Sequence, residues 1–251
     1  MPTRTLATLR RSGLIAGLGG LLAGCAMAPD GQQASSPAGS PLDIARQILQ
    51  PRVVRTALPP ASRPVLAPGD TFIYGRDHVV RLRTTTPDAW RWQAGTTTVL
   101  GTPDFFVPTW PDVHAGSPPQ RVVLGQPGDL WPLEVGNTVS FTETRGTTAG
   151  LTGRPTSTTL RWDCRVVDAR VSHVPAGDYD SFHVECRAYR AGLPVAVQIR
   201  TWDYSPALGH VVRQTWLESG QRREQVLSAA LPAAVATETR IQRVLQRLAV
   251  P

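Results

Sequence analysis

The chain has 251 residues, 41% of them hydrophobic, with seven Trp, 23 Pro and 22 Gly, which suits one domain with a sizeable core cut into short strands. Its formal charge is +7, every basic residue is Arg, and the arginines alternate with Asp, Glu and Thr, as in Arg161-Trp162-Asp163-Cys164-Arg165. That dispersal excludes a nucleic-acid partner, whose site gathers cations on one face.

Residues 1–24 have the three parts of an export signal: Arg4, Arg10 and Arg11, then the apolar run Leu14 to Leu22, then small residues. The run falls short of the ~20 residues of a membrane-spanning helix. Removing this leader takes three positive charges with it. Leu22-Ala23-Gly24-Cys25 resembles the lipobox of bacterial lipoproteins. The resemblance implies a diacylglycerol on the Cys25 sulfur, cleavage before Cys25, and a fatty acyl group such as palmitate on the new amine. Several chains anchor firmly where one binds only marginally, since each buried methylene contributes ~0.8 kcal/mol. With Ala26 following, and not Asp, the sorting rule of such lipoproteins implies the outer membrane of the cell envelope, facing the periplasm, with the outside as the alternative. The alternative is an ordinary signal peptide that contains a Cys.

Residues 25–40 are rich in Pro, Gly, Ser, Gln and Ala and read as a flexible tether. Residues 41–68 read as a short helix and a Pro-rich connector: Ser40 caps, Pro41 opens, Leu42, Ala45, Ile48 and Leu49 share a face, and Pro51 stops. A β domain follows over 69–220. Alternation and turn residues place strands at 71–74, 79–84, 90–93, 97–100, 104–107, 121–124, 138–145, 159–171, 179–189, 195–204 and 210–218. The last segment, 221–251, reads as helical, with Ile241, Val244, Leu245 and Leu248 on one amphipathic stripe and Arg240, Arg243 and Arg247 opposite. The stripe is read as docking on the domain, with binding to anionic membrane as the alternative. The fold class is thus mainly β: an antiparallel meander, sandwich or curved half-barrel, with a short N-terminal helix and a C-terminal amphipathic helix.

One hairpin can be derived in register. Leu160, Trp162, Cys164 and Val166 alternate with charged residues, as do Phe182, Val184, Cys186 and Ala188, and Val174-Pro175-Ala176-Gly177-Asp178 carries turn chemistry between them. Centring the turn on Pro175 sets Cys164 opposite Cys186, Arg165 opposite Glu185, Asp163 opposite Arg187 and Arg170 opposite Asp180. A Cys164–Cys186 disulfide is expected, because an oxidising envelope preserves one. Two buried free thiols are the alternative.

Leu130-Trp131-Pro132-Leu133-Glu134-Val135-Gly136, Val174-Pro175-Ala176-Gly177-Asp178-Tyr179, and the run from Trp202 through Gly209 to Arg213 mark turns and strand starts. With the lipobox, they resemble an uncharacterised family of proteobacterial envelope lipoproteins rich in antiparallel sheet. The resemblance runs from about Asp70 to Glu218 and implies fold alone, with no catalytic residue to carry over. Asp203 stands where the family pattern implies an aromatic residue.

No metal, cofactor or catalytic constellation is expected. The five His have no ligand spacing. Ser181, His183 and Asp180 share one strand, whereas triad members come from separate elements. Asp129, Glu134, Asp178 and Asp180 flank turns and read as caps before they read as a paired-carboxylate site. The remaining candidate is an aromatic patch of Phe105, Phe106, Trp110 and Trp131, which either receives a ligand or plugs the core. The expected function is a non-catalytic, membrane-anchored envelope module that binds a partner protein or an apolar ligand. The alternatives are a lipid carrier, signalled by a cavity lined by Trp90, Trp92 or Trp162, and an envelope hydrolase.

Overall fold

A computed structural model describes residues 55–111, 121–148 and 155–250, all within one compact unit from Arg52 to Pro251. The leader, Cys25, the tether and the helix expected after Ser40 lie outside the described residues. The first run of strands is β1 (Thr71–Tyr74), β2 (His78–Thr85), β3 (Trp90–Ala94), β4 (Thr97–Gly101) and β5 (Trp110–Pro111). The second is β6 (Arg121–Leu124), β7 (Thr138–Thr148), β8 (Pro155–Val174), β9 (Gly177–Arg190), β10 (Ala196–Ser205), β11 (His210–Glu218) and β12 (Gln221–Leu231). A 3-10 turn covers Pro127–Leu130, and helix α1 covers Glu238–Ala249.

Each run is an antiparallel meander, and the two join through β12 and β1 in the order β5-β4-β3-β2-β1-β12-β11-β10-β9-β8-β7-β6. The join explains the bend of the sheet. Gln221 to Val226 pair with β11, whereas Leu227 to Leu231 pair with β1, with a bulge at Ser228 opposite the Ile73–Tyr74 step. A strand that changes partners at a bulge turns a corner. The tip of the β8–β9 hairpin meets the same corner, where the Ala176 N–H donates to the Leu227 carbonyl at 3.1 Å. The inner face carries two apolar clusters. One gathers Phe106, Leu130, Leu133, Trp162, Phe182 and Val184; the other gathers Phe72, Tyr74, Leu82, Trp90, Trp92 and Leu227. Each such side chain contributes ~1.5–3 kcal/mol on burial.

Helix α1 docks on the outside of the first meander through Ile241, Val244 and Leu245, against Val79, Leu231 and Ala236. Thr237 caps it, accepting the Arg240 N–H at 3.3 Å, and Arg240, Arg243 and Arg247 stay exposed. This cover buries β1 on both faces.

The β8–β9 hairpin has the expected register as far as Val166, with Cys164 opposite Cys186 and Arg165 opposite Glu185. The two sulfurs form a disulfide, 2.00 Å apart. Beyond Val166 a bulge at Val167 shifts the pairing by one, so Arg170 faces Ser181 and not Asp180. Arg170 pairs instead along its own strand with Asp168 at 2.6 Å, as Arg187 does with Glu185 at 2.8 Å and Arg161 with Asp163 at 3.0 Å. Residues i and i+2 of a strand share a face, and an arginine is long enough to reach its neighbour there.

Two further expectations are corrected. Residues 104–107 form no strand: Val107 donates back to the Asp104 carbonyl at 2.8 Å, a turn flanked by Pro103 and Pro108, and the edge strand is β5. The 221–251 segment is not helical throughout, because Gln221–Leu231 is strand β12 and the helix begins only at Glu238. The Pro59–Pro68 connector is extended, and it docks: Ala61 exchanges both backbone hydrogen bonds with Leu133, at 3.0 and 2.8 Å.

Candidate functional site

The register of the second meander lays residues in rows across its inner face. One row runs Val139, Cys164, Cys186, Arg200, Trp216 and Arg223. The next includes Val166, Val184, Trp202, Gln214 and Gln225. Aromatic and polar side chains thus alternate on a face that β12 folds towards the first meander. Between β1–β4 and β10–β12 lies a cavity of about 340 Å³, within the lower range of small-molecule pockets. Its walls are Trp90 and Trp92 from β3, Trp202 and Tyr204 from β10, Trp216 from β11, and Phe105 from the loop after β4.

The aromatic patch divides around this cavity. Phe106 is fully buried in the core, whereas Phe105 lines the cavity. Phe105 stacks on Tyr204 at 4.9 Å with planes 5° apart, and Trp131 braces both edge-on at 5.7 and 5.4 Å. The loop is pinned through Asp104, which accepts the Trp131 indole N–H at 2.9 Å and pairs with Arg63 at 3.1 Å. Burial pushes the Asp104 carboxyl up, against the opposing pull of Arg63 and Trp131. Trp110 belongs to β5, and its side chain lies outside the described residues. The patch therefore serves as core plug at Phe106 and cavity wall at Phe105.

The polar groups of the cavity have settled protonation. Tyr74 donates its hydroxyl proton to the Val211 carbonyl at 2.9 Å, so its oxygen accepts from His210 Nε2, also at 2.9 Å. This assigns the proton of His210 to Nε2 and leaves Nδ1 an acceptor. The imidazole stacks on Phe72 with centroids 3.6 Å apart, and burial pushes its pKa down to about 3, so it is neutral at physiological pH. Burial raises the Tyr74 and Tyr204 hydroxyls well above the ordinary tyrosine value. Gln214 donates to Gln225 at 2.6 Å. Arg200 is the arginine among the lining residues.

A second polar cluster lies on the opposite face of β8–β11. Asp203, almost wholly buried, accepts from Ser172 at 2.9 Å and binds His183 Nδ1 at 2.6 Å, while Ser172 contacts Ser181 at 2.6 Å. Both serine and histidine address the carboxylate. His183 has no hydrogen bond to a serine hydroxyl among the described residues, and that contact is what activates a nucleophile. The arrangement can hold strands together. Asp129, Glu134, Asp178 and Asp180 are not part of the cavity lining.

The pair Trp90 and Trp92 was legible as a cavity signal; Trp162 lies beneath Arg200, outside the lining. Sequence reasoning missed Arg200, Trp202, Tyr204 and Trp216. Their signal was an arginine and a glutamine on the same alternating face as three aromatics.

No protein-family model matches the chain, and no curated protein matches it. Among solved structures it is similar to the hypothetical lipoprotein YmcC from Escherichia coli (K12), with 12% identity, a TM-score of 0.43, and coverage of 78% of this chain and 98% of that one. It is also similar to a protein with a YmcC-like fold from Bacteroides fragilis, with 10% identity, a TM-score of 0.35, and coverage of 68% and 99%.

Proposed function

We propose that this chain is a lipid-anchored, non-catalytic carrier module of the cell envelope that holds an apolar ligand between its two meanders. The observation that carries the reading is the cavity itself: about 340 Å³ walled by Trp90, Trp92, Trp202, Trp216, Tyr204 and Phe105. A purely structural module fills such a space, because a close-packed interior leaves few voids larger than a water molecule. The anchor rests on Leu22-Ala23-Gly24-Cys25 after an apolar run, and Ala26 in place of Asp supports an outer-membrane site facing the periplasm. Apolar walls with a few fixed polar groups suit a ligand held mainly by area removed from water.

The test is a fluorescence titration with dodecanol of the full chain carrying Cys25→Ser. Saturable binding with a change in tryptophan emission is expected, and Ala94→Trp, which plants an indole in the cavity lining, is expected to abolish it. Equal binding by the filled variant, or none by the parent, contradicts the reading.

A further inference from the structure

Among the described residues Arg200 is a cation with Glu143 and Glu218 near it but no salt bridge to either. It lies on the inner face of β10 between Cys186 and Trp216, with its guanidinium 5.4 Å over the Trp162 ring. Its hydrogen bond is a long one, 3.4 Å to Gln198 Oε1. The buried carboxylate near it is already occupied. Glu143 Oε1 accepts from Arg121 and Arg145, both at 2.7 Å, and Oε2 accepts from Trp162 at 3.0 Å and Arg145 at 3.1 Å. Glu218 accepts from Gln198 at 2.6 Å. Among the described residues Arg200 forms no ion pair, and burial draws its pKa only to about 10, so it stays charged. Arg223, exposed, faces Trp216 from the other side in the same row.

A half-buried guanidinium costs desolvation free energy that the Trp162 ring and the fields of Glu143 and Glu218 recover only in part. Arg200 is the arginine among the residues that line the aromatic cavity, where a ligand anion supplies the missing charge through charge-assisted hydrogen bonds. A cation, or a wholly neutral chain, leaves that cost uncompensated. On the reading that the cavity is a carrier site, we propose that the ligand is an anionic amphiphile, a single acyl chain whose carboxylate or phosphate head seats on Arg200. Its chain then lies against Trp90, Trp92, Trp202 and Trp216, and Arg223 adds positive potential at the outer end of the row.

The experiment compares dodecanoate, dodecyl phosphate and dodecanol by calorimetric titration, below micelle formation, on the full chain carrying Cys25→Ser. One anion or both is expected to bind about 10-fold more tightly than the alcohol, the yield of one charged hydrogen bond. Arg200→Gln is expected to erase that advantage and leave dodecanol binding unchanged. Equal affinity of all three for the parent, or an advantage that survives Arg200→Gln, overturns the proposal while leaving the carrier reading intact. No binding by any of the three overturns both. Should Arg200→Gln fail to fold, the exposed Arg223→Gln decides: the anion preference is expected to fall about threefold, and an unchanged preference overturns the proposal.

Discussion

Replacing Glu143 with Ala is expected to lower the free energy of unfolding by about 3–5 kcal/mol, the usual cost of breaking a buried ion pair by removing one member. Glu143 is 1% exposed. Its side chain holds Arg121 of β6, Arg145 of β7 and the Trp162 indole of β8. The Arg121 side chain is itself 6% exposed, so it cannot turn to water when its partner goes, whereas Arg145, at 39%, can. The carboxylate is thus the polar pin that ties the last three strands of the sheet together. Urea denaturation measures the loss, and a change under about 1 kcal/mol would mean that water enters the site and takes over its hydrogen bonds.

The second large effect belongs to the disulfide. Cys164 and Cys186 are 22 residues apart, and closing a loop of that size stabilises by about 3 kcal/mol through the unfolded chain. The double variant Cys164→Ala/Cys186→Ala is expected to lose that amount, and the parent to lose it in reductant, so that the two denaturation curves nearly coincide. A parent indifferent to reductant contradicts the bond. Both cysteines are buried among Val166, Val184 and Trp162, so the alanines also leave a small apolar cavity.

What the sequence discloses follows from what alternation can encode. The hairpin register was readable because Leu160 to Val166 and Phe182 to Ala188 each alternate cleanly, and a slip by one residue would turn every apolar side chain outward. The bulge was not readable: Val166 and Val167 are both apolar, and nothing in the pattern marks which one is extra. Strand β12 was hidden for another reason. Its first half, Gln221-Arg222-Arg223-Glu224, is exposed, and its second half, Ser228-Ala229-Ala230, which runs beside β1, is made of small residues, so neither half carries the β-branched signal of a strand. Phe105-Phe106 imitated a strand through apolarity alone, although Asp104 and the flanking prolines turn the chain there. The helix was legible because Ile241, Val244 and Leu245 repeat at helical spacing. The cavity was half legible. Trp90 and Trp92 share a face of β3, but their approach to Trp202 and Trp216 depends on the bend at Ser228, a tertiary event with no local signature.

Four of the seven tryptophans, Trp90, Trp92, Trp202 and Trp216, line the cavity, whereas Trp131 lies behind Phe105. Following the indole N–H resonances of 15N-labelled protein during a dodecanol titration therefore locates the ligand directly. The four lining indoles are expected to shift together, with one saturation curve, while Trp131 holds its position. Four unmoved resonances, or a response confined to Trp131, would contradict a ligand site between the meanders.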